Sequence, residues 1–145
     1  MKQKNIFKLI RTVEQMNNEN IMQFTKKFQH PLGISPILVL AELRTKGPQK
    51  QAELAETIGY TKGAMTNISE KLVRLGFAER LYDESDRRTI QLQITTAGMN
   101  ALKEAQAIGE DVFMLLFESL SEEEINQYLM IQEKIVQGIE SRKKK

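Results

Sequence analysis

Thr61-Lys62-Gly63-Ala64-Met65-Thr66-Asn67-Ile68-Ser69-Glu70-Lys71-Leu72-Val73-Arg74-Leu75-Gly76 carries the signals for one helix from start to stop. Thr61 is a residue type that caps a helix N-terminus, because its hydroxyl accepts from a backbone N–H left over in the first turn. Met65, Ile68, Leu72 and Leu75 recur at three- and four-residue steps, which lays them on one inward stripe. Gly76 stands where a left-handed residue closes the helix. Lys62, Gly63, Thr66, Asn67, Glu70, Lys71 and Arg74 fall off the stripe and face outward. They are short near the start of the helix and longer, mostly basic, toward its end.

Upstream, Gly59 supplies a tight turn after a short helix over residues 51–57, with Leu54, Ala55 and Ile58 turned inward. Gly47-Pro48 ends the helix before that one, which starts at Ser35-Pro36 as N-cap and first-turn proline and runs to about Thr45. A long first helix precedes it. Its residues Ile6, Ile10, Val13, Ile21, Phe24 and Phe28 share one face, and His30-Pro31-Leu32-Gly33 breaks it. Downstream, residues 77–82 and 89–94 read as two strands, the second alternating strictly over Ile90-Gln91-Leu92-Gln93-Ile94. The polar loop Asp83-Glu84-Ser85-Asp86-Arg87-Arg88 joins them into a hairpin. Thr95 caps a fifth helix that is apolar at Leu102, Ile108, Val112, Leu115 and Leu116. Ser121 with Glu124 forms a capping box for a sixth, which carries Ile125, Tyr128, Leu129, Ile135 and Ile139 and ends in the basic tail Arg142-Lys143-Lys144-Lys145.

A short helix, a tight turn, a longer helix and a hairpin, in that order, suit a reader of duplex DNA, because the second helix can lie in the major groove. On side-chain chemistry Asn67 pairs with adenine, Lys62 reaches guanine, and Thr66 touches a thymine methyl or a phosphate, while Gly63 permits close approach. Gln51, Thr61, Lys71 and Arg74 complete the helical set expected at the interface. Arg87 and Arg88 at the hairpin tip suit a minor groove, with Asp86 close enough to orient one of them. The bland alternatives are a solvated helix face and, because the loop is acidic at Asp83, Glu84 and Asp86, a self-neutralised turn. A rival function is a winged-helix module that binds another protein and has no DNA affinity.

Composition narrows the field. The 145 residues suit one domain, and 41% hydrophobic with 28% charged residues is ordinary for a globular chain. With no cysteine there is no disulfide, thiolate metal site or thiol switch, and with one histidine and no phosphate-binding glycine loop no catalytic residues, cofactor or metal are expected. The net charge of +2 implies no nucleic acid by itself, so the case rests on where the cations sit. No apolar run approaches the roughly 20 residues that span a bilayer, and no secretory signal is seen. A cytoplasmic protein without membrane contact is expected.

Gln51-Ala52-Glu53-Leu54-Ala55, Gly59, Leu72-Val73-Arg74-Leu75-Gly76-Phe77-Ala78-Glu79-Arg80, Asp86-Arg87-Arg88 and Leu92-Gln93-Ile94-Thr95-Thr96-Ala97-Gly98 together resemble the MarR family of bacterial regulators. The resemblance covers nearly the whole chain and is most specific from the outward-facing helix through Asp-Arg-Arg to Thr-x-x-Gly. It implies a mainly α fold with a small β-hairpin wing. A winged helix-turn-helix lobe would occupy residues 34–98, and interlocking dimerisation helices 1–30 and 99–145. It also implies a triangular homodimer and the roles of Arg88 in the minor groove, Asp86 holding it, and Arg87 near the backbone; the expected function is a homodimeric regulator of transcription, a repressor. Independently of the resemblance, the first, fifth and sixth helices carry more apolar surface than so small a lobe covers, and the alternative is a bundle within one chain. Members of that family often respond to small aromatic or phenolic anions bound between the two regions. Met16, Phe24, Phe28 and His30 are the candidates for such a pocket, and plain core is their other reading.

Overall fold

The computed structural model describes residues 3–82, 85 and 90–144. Among the described residues six helices and three short strands follow in the order α1 (Gln3–Lys27), α2 (Ile34–Lys46), β1 (Gln49–Lys50), α3 (Gln51–Ile58), α4 (Lys62–Arg74), β2 (Ala78–Tyr82), β3 (Ile90–Ile94), α5 (Thr96–Leu116) and α6 (Glu122–Lys143). The mainly helical architecture with a small hairpin is the one expected from the sequence.

The core gathers around α2. Val39, Leu40 and Leu43 of that helix are sealed from solvent together with Leu54 of α3, Met65 and Leu72 of α4, Leu92 of β3 and Leu102 of α5. Each such side chain contributes about 1.5–3 kcal/mol by leaving water, so this shared cluster fixes α3 and α4 against the rest of the lobe. Phe24 and Phe28 at the end of α1 join the same cluster.

Two local expectations are corrected. Ser35 does not cap α2; Gly33 holds the N-cap position, no side chain caps it, and the helix begins at Ile34. Burial of Leu32 and Pro36 on either side of the start outweighs one cap hydrogen bond, worth about 1 kcal/mol. Pro36 sits third in the helix, where its missing N–H is one of those without an intrahelical partner anyway. The second correction adds a strand. Gln49 and Lys50 pair antiparallel with Leu92 and Gln91, so the hairpin is part of a three-stranded sheet of order β1-β3-β2. The register of β2 on β3 sets Ala78 against Ile94, Arg80 against Leu92 and Tyr82 against Ile90.

The N- and C-terminal helices behave differently from the lobe. Ile10, Val13 and Ile21 of α1, Phe113 to Leu115 of α5, and Leu129, Met130, Ile131, Ile135 and Val136 of α6 are exposed. No residue of α6 is buried, although its capping box of Ser121 and Glu124 is fully formed. The apolar faces of these helices therefore do not satisfy one another within one chain. Among the described residues no helix is long and apolar enough to cross a membrane.

Candidate nucleic-acid interface

α4 is held at both ends. At its start the Thr61 hydroxyl accepts from the Ala64 N–H at 3.1 Å. At its end the Gly76 N–H donates to the Val73 carbonyl and the Phe77 N–H to the Leu72 carbonyl, the paired bonds of a Schellman turn. That turn needs the left-handed backbone Gly76 adopts, at φ 80°, which a Cβ disfavours. Met65, Ser69 and Leu72 are buried against α2 and α3, with Ile68 and Leu75 half-buried beside them. The inward stripe is thus the one expected, with Ser69 added to it.

The opposite face holds the residues that sequence singled out. Lys62, Gly63, Asn67, Glu70 and Arg74 are exposed, and Thr66 and Lys71 are half-buried at its margins. Gln51, the first residue of α3, reaches across and donates from Nε2 to the Thr66 hydroxyl at 2.9 Å. The same hydroxyl donates to the Lys62 carbonyl, also at 2.9 Å. The structure therefore brings Gln51, Lys62 and Thr66 together, with Gly63, Asn67 and Arg74 on the same exposed side of the helix. Asp86, Arg87 and Arg88 lie outside the described residues.

Two cations that sequence reasoning passed over border this face. Lys50, Lys62 and Arg80 surround a concavity of about 390 Å³ floored by Ala55, Met65 and Leu92. Lys50 gives no signal in the sequence, since its place follows from the two-residue strand β1. Arg80 is legible only through the register that puts it opposite Leu92.

α4 is also tied to the helices outside the lobe. The Thr95 N–H donates to the Phe77 carbonyl at 3.1 Å, and its hydroxyl donates to the Gly76 carbonyl at 2.6 Å while accepting from the Gly98 N–H at 3.0 Å. Gly98 packs so closely on the Phe77 carbonyl that a Cβ there would collide with it. This is the physical content of Thr-x-x-Gly: one threonine joins the end of α4 to the start of α5, and one glycine makes room for the joint. On the other side a row of rings runs from Phe24 to Phe28, His30 and Phe77, with centroids 5.0, 5.1 and 5.2 Å apart. His30 Nε2 meets Glu104 Oε2 of α5 at 3.1 Å. Of the four residues expected at a ligand pocket, Phe24, Phe28 and His30 belong to this row, and Met16 lies outside it, half-buried higher on α1.

A separate apolar cavity of about 170 Å³ lies between α1, α2 and α5, walled by Phe24, Ile34, Ile37, Val112 and Phe113. Asn20 also lines it, and its buried Oδ1 has no hydrogen-bond partner among the described residues. Among the described residues no group of three or more Asp, Glu or His is arranged to hold a metal ion.

Comparison with known proteins agrees with this architecture. The MarR family model matches residues 34–90, from the start of α2 to the start of β3. The HTH-type transcriptional repressor MdtR of Bacillus subtilis is 30% identical over 114 residues, which are 77% of this chain and 74% of that protein. The multiple antibiotic resistance protein MarR of Escherichia coli is 26% identical over 113 residues, 76% and 78% of the two chains. Among solved structures, a MarR family protein from Bacillus stearothermophilus superposes with a TM-score of 0.79 at 17% identity, over 96% of this chain and 98% of that one. A mutant of E. coli MarR complexed with operator DNA superposes with a TM-score of 0.76 at 22% identity, over 90% and 95%. Residues 34–90 agree with the family in sequence and most of the chain agrees in fold, and the chain belongs to the MarR family of transcriptional regulators.

Proposed function

We propose that this regulator binds duplex DNA as a homodimer and represses transcription from a pseudo-palindromic promoter site, with half-sites about 10 base pairs apart. The observation that carries the reading is α4 itself: capped at both ends, packed on one side, and presenting Lys62, Gly63, Asn67 and Arg74 outward. In this reading Thr66 contacts a thymine methyl or a phosphate, and Thr61, Gln51 and Lys71 flank the base-reading residues. Lys50 and Arg80, missed from sequence, join Lys62 in holding phosphates. Arg87 and Arg88 enter the minor groove, with Asp86 orienting Arg88, as the family resemblance implies. The relatives' repressor names and the operator complex of E. coli MarR support the same assignment.

Residues 34–98 form the DNA-binding lobe, and the N- and C-terminal helices the dimer interface. The apolar surface left open on α1, α5 and α6 supports a second copy as its cover, because exposed patches of this extent mark interaction sites. A small aromatic molecule in the cavity beside Phe24 releases the DNA by favouring another spacing of the lobes. The cavity wall carries no basic residue, so it suits an uncharged phenol or arene better than an anion.

A footprinting titration on the DNA upstream of the protein's own coding region, with an unrelated duplex as competitor, tests the proposal. Protection of a two-fold symmetric site that survives competitor is expected. If neither that region nor other promoters are protected, the winged helix is a protein-binding surface and the DNA reading falls.

A further inference from the structure

We infer that Thr66 reads the C5-methyl group of a thymine, and that Gln51 is the positioning residue that makes the methyl, rather than the hydroxyl, the reading group. The inference rests on α4 being the DNA-reading helix. A threonine hydroxyl has a single proton to donate. In Thr66 that proton goes to the Lys62 carbonyl of the same helix at 2.9 Å. The Gln51 Nε2 then donates to the same oxygen at 2.9 Å from across the turn. The donor is therefore spent, and two of the oxygen's bonding directions point back into the protein.

A phosphate oxygen, a purine N7 and the O6 or O4 of a base are all acceptors, and none can receive a proton that is already committed. Freeing it would break the bond to Lys62 and unsettle the bond from Gln51 to gain one. With Oγ1 held by two partners, the Thr66 side chain is locked in one rotamer; toward a base edge it keeps its methyl and one Oγ1 lone pair, which can meet only the N–H donors of adenine or cytosine, so the methyl is the group it has for thymine. In the major groove only thymine displays a methyl of its own. Thr66 stands one turn beyond Lys62, in the half of α4 nearest its N-terminus.

The test is sequence selection from a randomised duplex pool by the full-length protein, followed by replacement of each thymine of the selected site with deoxyuridine, which removes only the methyl. For the wild type, one thymine per half-site is expected to lose affinity about fourfold on replacement, the transfer value of one buried methyl. Thr66→Ser keeps the hydroxyl bonds and lacks the methyl, so it is expected to show no loss at that thymine. Gln51→Met keeps the length of the side chain but not the donor. It is expected to relax the preference for thymine at that position while leaving the melting temperature and the salt dependence of binding near those of the wild type. If Thr66→Ser is as sensitive to deoxyuridine as the wild type, or if no thymine is sensitive, the inference is overturned and the DNA reading stands. If the wild type selects no sequence at all, the DNA reading fails and takes this inference with it.

Discussion

Gly98→Ala probes the joint between α4 and α5. A Cβ at position 98 would collide with the Phe77 carbonyl oxygen and lie 2.8 Å from Ile94 Cγ1 and 3.0 Å from the Phe77 carbonyl carbon. Two of these three atoms are backbone, so no side chain can swing away to relieve the overlap. Carbon approaches a carbonyl oxygen to about 3.3 Å at closest, so the start of α5 has to withdraw by on the order of 1 Å. Withdrawal weakens the Thr95 bonds to Phe77 and Gly76, worth about 1 kcal/mol each, and adds overpacking strain of about 1–3 kcal/mol. Alanine's better helix propensity returns at most about 1 kcal/mol. The net loss is about 2–4 kcal/mol, a large share of the roughly 5–15 kcal/mol that holds a domain folded. Urea denaturation at fixed protein concentration is expected to show the midpoint falling by about 1–2 M. Gly109→Ala is the control, because a Cβ there meets nothing within 4 Å; its midpoint is expected to hold or rise. If Gly98→Ala is as stable as Gly109→Ala, α5 does not approach Phe77 as described, and the coupling of α4 to the flanking helices loses its basis.

Ser69 is fully buried in α4 and its hydroxyl has no hydrogen-bond partner among the described residues, so Ser69→Ala is expected to raise stability by about 1–2 kcal/mol, read as a higher melting temperature. A lower one would mean that the hydroxyl is bonded after all. Thr95→Ala removes the N-cap of α5 together with its bond to Gly76; a loss of about 1–2 kcal/mol in the same melt is expected, and no loss would refute the joint. Replacing Leu129 and Ile135 together by glutamate charges the open face of α6, where they are 53% and 58% exposed in the single chain. Sedimentation is expected to show the double variant as a monomer with its helix content kept. A mass unchanged from the wild type would move the dimer interface elsewhere.

The features legible in the sequence are those whose physical cause is local. Thr61, Thr95 and Ser121 cap helices as expected, because a cap requires only a hydroxyl three residues before an N–H that needs one. The stripe of α4 was legible for a similar reason, since periodicity is a property of the segment alone. What escaped depends on partners distant in the chain. β1 is two residues long and exists because Gln49 and Lys50 meet Leu92 and Gln91, more than 40 positions away. Lys50 and Arg80 join Lys62 only through that sheet, and Gln51 meets Thr66 only because α3 and α4 are packed face to face. Ser35 misled because its neighbours Leu32 and Pro36 are buried, and packing set the start of α2. The α1 stripe was read correctly as a face. Ile10, Val13 and Ile21 on it are left about half exposed in the single chain.

The central claim is that the outward face of α4 reads base edges, and the salt-resolved affinity of wild type and Asn67→Ala for the footprinted site tests it most directly. Asn67 is exposed on that face, and no described residue hydrogen-bonds to its side chain. Removing one bidentate base contact is expected to weaken specific binding by roughly 5- to 150-fold, corresponding to about 1–3 kcal/mol, and to relax the preference at one position of each half-site. The slope of log affinity against log salt is expected to stay unchanged, because no phosphate contact is lost. Equal affinity and equal preference in the variant would contradict the claim that this face reads the DNA.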